Sequence, residues 1–129
     1  MPGEQILIVD DNPQNLKLAR VVLEREGYFV RTAHDAEEAM RLLQTSIPHL
    51  ILMDVQLPGL DGLSLTRRLR EDPAYRGIAI LALTAYAMKG DEEKALAAGC
   101  DGYLAKPVDI DTLSALVAAH IQRTRSVTP

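Results

Sequence analysis

Apolar residues along the chain fall into short unbroken runs separated by longer amphipathic stretches. The runs occupy residues 6–9, 29–32, 50–53, 78–83 and 103–105. Those at 6–9 and 50–53 lack polar alternation, the pattern of strands buried on both faces. Between the runs the spacing turns helical. Ala36, Ala39, Met40 and Leu43 fall at i, i+3, i+4 and i+7, on one helical face, and Leu113, Leu116, Val117 and Ile121 form a second such stripe. The boundaries are punctuated. Asn12 before Pro13 predicts an N-cap followed by proline at the first helical position. Asp35 with Glu38 three residues on reads as a capping box. Asp61 is placed to cap a helix beginning near Gly62, after a turn at Pro58-Gly59. Gly27 and Gly99 sit where helix C-termini are expected. Asp72-Pro73 and Arg76-Gly77 close another segment. Five strands alternating with five helices predict an α/β protein with a parallel sheet covered on both faces. The short connections leave no room for a second domain, so residues 1–129 are read as one, with 123–129 expected to fray after the last helix.

Composition narrows the function classes. Apolar residues are 47% and charged residues 25% of the 129, which fits a folded soluble domain with one core rather than a disordered chain. No apolar run approaches the ~20 residues of a membrane span, and Met1 to Gln5 is polar and leads straight into a strand. A cytoplasmic location is therefore expected. A single cysteine, Cys100, excludes an internal disulfide framework; it is expected to pack as a small hydrophobe. Net charge is −4, and there is no Trp and one Phe, which argues against a nucleic-acid surface. His34, His49 and His120 lack ligand spacing. Arg67, Arg68 and Arg70 read as a solvated helix face.

Open α/β sheets bind ligands beyond the carboxyl ends of their strands. The residues there are Asp10 and Asp11 after the first run, Asp54 after the third, Thr84 after the fourth and Lys106 after the fifth. One of Asp10 and Asp11 could cap the next helix, but Asn12 already fills that role. Asp54 has no evident structural task, since Asp61 caps the following helix. If strands one and three are neighbours, three carboxylates converge. Two like charges ~4 Å apart repel by about 4 kcal/mol at an effective dielectric near 20. Such a site would raise a carboxylate pKa or recruit a cation, and oxygen-only ligands with water access suit Mg²⁺. Lys106 adds a positive charge at the same edge. A carboxylate attacking phosphorus to form an acyl phosphate uses all of these groups, with Thr84 donating to a phosphoryl oxygen.

The residues that carry this chemistry are grouped in recognisable motifs. Ile-Leu-Ile-Val-Asp-Asp-Asn at 6–12, Met-Asp-Val-Gln-Leu-Pro-Gly-Leu-Asp-Gly at 53–62, Leu-Thr-Ala at 83–85 and Tyr-Leu-Ala-Lys-Pro at 103–107 resemble the receiver domain of two-component response regulators over about residues 5–122. The resemblance implies a flavodoxin-like five-stranded sheet of order 2-1-3-4-5. It implies that Asp54 is the phosphoacceptor and that Asp11, Asp54 and the backbone carbonyl of Gln56 ligate Mg²⁺ (or Mn²⁺), with Asp10 acting mostly through a metal-bound water. Lys106 would pair with the phosphoryl group, and the Lys106-Pro107 bond would be cis. Thr84 and Tyr103 resemble a switch pair: Thr84 moves towards the phosphoryl group and Tyr103 turns into the space vacated.

The implied function is a phosphorylation-dependent switch of a two-component phosphorelay. It accepts a phosphoryl group from a histidine kinase or phosphotransfer protein and signals by protein–protein contact, through the fourth helix, fifth strand and fifth helix. Chemistry is limited to its own Mg²⁺-dependent phosphorylation and dephosphorylation, so it is not expected to be a conventional enzyme. No nucleic-acid or membrane partner is expected, and the chain should be a monomer or weak dimer. Gln56 and Tyr86, each two residues beyond a key side chain, should flank the acyl phosphate and tune its lifetime. Val108 and Gly102 depart from receivers attached to winged-helix domains; Lys-Pro-Val-Asp looks more like single-domain regulators or hybrid-kinase receivers. Two other readings fit less well. A phosphatase of the haloacid dehalogenase type needs a general acid where Gln56 stands. An FMN carrier needs a phosphate cradle after strand one, where carboxylates would repel the phosphate.

Overall fold

The computed structural model describes residues 3–57, 61–84, 90–106 and 109–127. The elements are β1 (Gln5–Val9), α1 (Pro13–Arg25), β2 (Phe29–Ala33), α2 (Ala36–Thr45), β3 (Leu50–Asp54), α3 (Gly62–Glu71), β4 (Ala79–Thr84), α4 (Asp91–Ala98), β5 (Gly102–Ala105) and α5 (Ile110–Val127). The strands form one parallel sheet in the order β2-β1-β3-β4-β5. The α/β class and the strand order are those expected.

Each strand's pleat sends alternate side chains to opposite faces. Leu7, Val9, Ile51, Met53, Ile80 and Ala82 pack beneath α2 and α3, with Ala95 of α4. Ile6, Ile8, Leu50, Leu52, Leu81 and Leu83 pack against Leu23 of α1 and Leu113, Val117 and Ile121 of α5. Every residue of β3 and β4 is buried, which explains their unbroken apolar runs. Burying each such Leu or Ile contributes about 1.5–3 kcal/mol relative to leaving it exposed.

The helix starts follow their caps. The Asn12 side chain accepts from the N–H groups of Gln14 and Asn15, Asp35 from Glu38 and Asp61 from Ser64. The Glu38 carboxylate reaches back to the His34 N–H, one residue short of a reciprocal box. The last helix runs to Val127, beyond Ile121 where the apolar stripe ends.

The order 2-1-3 reverses direction between β1 and β3. The chain leaves β1 towards one edge and β3 towards the other, which opens a crevice at the strands' carboxyl ends. Register fixes what faces it. Val9 pairs with Met53, so Asp10 and Asp54 come next side by side. Asp54 pairs with Leu83, and Thr84 with Ala105 just before Lys106.

Candidate functional site

Four of the strand-end residues meet in this crevice. Asp10, Asp11 and Asp54 each offer an oxygen, and these lie within 4.8 Å of one another. Asp10 is 1% and Asp54 3% exposed, whereas Asp11 faces solvent. Lys106 Nζ lies 3.0 Å from Asp10 Oδ2 and 3.0 Å from Asp54 Oδ2. Lys106 is thus no solvated surface lysine; one ammonium is shared between two buried carboxylates.

The other oxygen of each buried carboxylate closes a local turn. Asp10 Oδ1 accepts from the Asn12 N–H at 2.9 Å, and Asp54 Oδ1 from the Gln56 N–H at 3.1 Å. Sequence reasoning assigned Asp54 no structural task; it has one, an Asx turn that orients the carboxylate and its own loop together. The Gln56 side chain is exposed at the rim.

Electrostatics are poised rather than neutralised. Burial raises the Asp54 pKa above its ordinary value, and the Asp10 charge adds to this, against the hydrogen bonds from Lys106 and Gln56. Burial alone would lower the Lys106 pKa, but hydrogen bonds to Asp54 and Asp10 and both their charges outweigh it, and the net shift is upward. The two shifts need not mirror each other. Lys106 meets two anions, while Asp54 meets one cation and one anion and is the more deeply buried. One ammonium cannot offset three carboxylates, so the site retains an affinity for further positive charge.

A gap beside Thr84 completes the site. A cavity of about 400 Å³ is lined by Gln56, Asp61, Arg67, Thr84, Lys94 and Tyr103, among others. Thr84 is buried and Tyr103 half-buried at its wall. Tyr86 and Pro107 lie outside the described residues, as do Val108 and the Pro58-Gly59 turn.

Two residues that sequence reasoning missed shape this region. Gly62, the first residue of α3, packs so closely on β3 that an added Cβ would lie 2.0 Å from the Asp54 carbonyl oxygen. Arg70 is not on a solvated face. Its guanidinium donates to the carbonyls of Gly99, Arg76 and Ile78 and to Asp101 Oδ2. A signal existed, since Arg70 follows Gly62, Thr66 and Leu69 at the edge of the buried face of α3. Cys100 is buried as expected, with Sγ 3.9 Å from Thr66 Oγ1.

A doubly wound sheet with an acidic crevice and a lysine at the end of its fifth strand defines a class of phosphoryl-accepting signalling domains. The chain belongs to the response regulator receiver domain family, which matches residues 6–118. It is 38% identical over 118 residues to the polar-differentiation response regulator DivK of Brucella anthropi, covering 92% of this chain and 96% of that protein. It superposes with a TM-score of 0.88 on a CheY-like receiver domain protein of Methanospirillum hungatei, 29% identical, over 96% of this chain and 98% of that one. The receiver domain of a sensor histidine kinase of Pseudomonas aeruginosa, solved with a magnesium ion coordinated in its active-site cleft, is 40% identical, with a TM-score of 0.85 over 93% of this chain and 98% of that one. The protein is a receiver of phosphorylation-dependent two-component signalling; such domains interact with histidine kinases or phosphotransfer proteins and with downstream targets. Among the described residues no helix is long and apolar enough to cross a membrane.

Proposed function

We propose that Asp54 is the residue that accepts the phosphoryl group, and that Lys106, Thr84 and Tyr103 convert that event into a change of surface. The observation that carries this reading is the position of Lys106 Nζ, 3.0 Å from both buried carboxylates. A carboxylate oxygen of Asp54 attacks phosphorus, the bond from phosphorus to its donor breaks, and the donor leaves with the electron pair. The fixed Asx turn and the Lys106 ammonium hold the nucleophile in place, the kind of positioning on which phosphoryl transfer mainly depends.

The donor set fits a hard divalent cation, because the cluster contains three carboxylates and no nitrogen or sulfur ligand. Asp10, Asp11 and Asp54, with the Gln56 carbonyl, would hold Mg²⁺, or Mn²⁺ in its place. When bound, the ion offsets negative charge on the phosphoryl oxygens.

Transfer replaces a carboxylate of charge −1 with a group of charge near −2. Lys106 then pairs with phosphoryl oxygens, and the Thr84 hydroxyl donates to another. The cavity beside Thr84 supplies the room that Tyr103 needs to turn inward. The altered face is α4, β5 and α5, on which Leu96 stands 49% exposed for a protein partner. The chain acts in the cytoplasm as a monomer or weak dimer, turns over no external substrate and binds no nucleic acid. Incubation with acetyl phosphate and Mg²⁺, read by intact mass, should add one phosphoryl group to wild type and none to Asp54→Ala. A full gain in the variant overturns the assignment.

A further inference from the structure

Among the described residues the two ends of α4 are held very differently. At its N-terminus Gly90 takes the cap position in the left-handed region, φ 105°, and as a glycine brings no capping side chain. Along its length only Ala95 and Ala98 are buried among its described side chains, and alanines contribute little apolar area. At the C-terminus the chain is tied from several directions. Gly99 N–H donates to Leu96 O and Cys100 N–H to Ala95 O, closing the helix. Asp101 N–H donates to Ile80 O at 2.7 Å, and Ile80 N–H returns to Asp101 Oδ2 at 2.8 Å.

Arg70 binds this end to the rest of the fold. Nε donates to Gly99 O at 2.8 Å, Nη1 to Ile78 O at 2.7 Å and Arg76 O at 3.0 Å, and Nη2 to Asp101 Oδ2 at 2.8 Å. One planar guanidinium thus spans the end of α4, the approach to β5 and the approach to β4. Its stem is packed equally closely, since a Cβ on Gly99 would lie 2.6 Å from Arg70 Cγ. At its opposite end, α3 abuts the acceptor strand through Gly62, whose N–H donates to Val55 O. Helix α3 is therefore a strut from the Asp54 strand to the C-terminus of α4.

We propose that Arg70 is a positioning residue for the switch: it fixes the C-terminal end of α4, so that phosphorylation of Asp54 displaces the glycine-capped N-terminal end about a pivot at Gly99. The idea rests on the function proposed above, and its test separates the two. A lysine at position 70 carries one ammonium in place of the fork and reaches fewer acceptors at once.

Amide hydrogen exchange on the full chain, with and without acetyl phosphate and Mg²⁺, reads both ends of α4, with intact mass reporting phosphorylation of the same samples. In wild type, phosphorylation should change exchange around residues 91–94 and leave Gly99, Cys100 and Asp101 unchanged. In Arg70→Met, those three amides should exchange on the order of 10-fold faster or more before phosphorylation. The phosphorylation response should then spread through residue 101. Arg70→Lys should be intermediate, and Asp101→Asn, which keeps an acceptor for Ile80 N–H, should show a weaker version of the same spread. Equal changes at both ends of α4 in phosphorylated wild type overturn the pivot, as does a wild-type response pattern in phosphorylated Arg70→Met. Failure of wild type to gain a phosphoryl group overturns the functional reading and the pivot with it, and the mass identifies that case.

Discussion

Gly62→Ala places one methyl group against the backbone of Asp54. The added Cβ would sit 2.0 Å from Asp54 O, 2.9 Å from Asp54 C and 3.0 Å from Met53 Cγ, where 3.4 Å begins ordinary contact. The obstacle is a strand paired on both sides, so it yields less readily than a side chain. Overpacking of this kind costs about 3 kcal/mol, the upper end of the usual range. Alanine at a helical position recovers at most ~1 kcal/mol of that. The net loss is about 2–3 kcal/mol, or ~8–12 °C in Tm for a domain of this size. Opening the contact by more than ~1 Å also shifts the start of α3 or the end of β3. If β3 yields, phosphorylation by acetyl phosphate should slow by roughly 10- to 100-fold. Gly77→Ala is the control: its Cβ would meet nothing within 4 Å, and its stability should stay within ~0.5 kcal/mol of wild type. Thermal unfolding followed by circular dichroism gives the first number and intact mass against time the second. A Gly62→Ala variant melting within ~2 °C of wild type would refute the close-packing argument.

Mg²⁺ should raise Tm with concentration, by the equivalent of about 2.7 kcal/mol at 100 times its Kd; the same titration on Asp11→Ala should show a much weaker rise, and an undiminished one would remove Asp11 from the site. Gln56→Ala and Tyr86→Ala should each change the half-life of the phosphorylated chain, measured by intact mass after desalting; unchanged half-lives would remove their tuning role. Burial raises the Cys100 thiol, against the Thr66 hydrogen bond and the Arg70 charge. Because the folded thiol holds its proton where the unfolded one, near pH 8.5, releases it, stability falls as pH rises through that value. Urea titrations at pH 7 and pH 9.5 should therefore show a larger alkaline loss for wild type than for Cys100→Ala, and equal losses would place the thiol outside its buried site. Asp35→Ala removes the cap of α2 and should cost ~1 kcal/mol in urea unfolding.

Much of the fold was legible because its signals are local. Buried strands such as β3 carry unbroken apolar runs, and Asn12, Asp35 and Asp61 mark helix starts through bonds to residues two or three positions on. The acidic residues and Lys106 could be found because a parallel sheet gathers whatever follows its strands. What stayed hidden depends on approach between distant segments. Nothing adjacent to Gly62 in the sequence states that it touches the Asp54 carbonyl. The acceptors of Arg70 lie at residues 76, 78, 99 and 101, so its neighbours Arg67 and Arg68 suggested only a charged face. The turn bonds of Asp10 and Asp54 were also missed, since a carboxylate can close a turn and still present its second oxygen to a ligand. The last turns of α5 carry no apolar stripe, and the sequence pattern stops before the helix does.

The central claim is that the phosphoryl group resides on one particular carboxylate. An acyl phosphate is reduced by borohydride to an alcohol, which converts an aspartyl phosphate to homoserine and marks the residue permanently. The chain phosphorylated with acetyl phosphate and Mg²⁺, reduced and mapped by peptide mass spectrometry, should carry homoserine at position 54 alone. Homoserine at position 10 or 11, or a borohydride-resistant phosphate on a serine, threonine or histidine, would contradict the account.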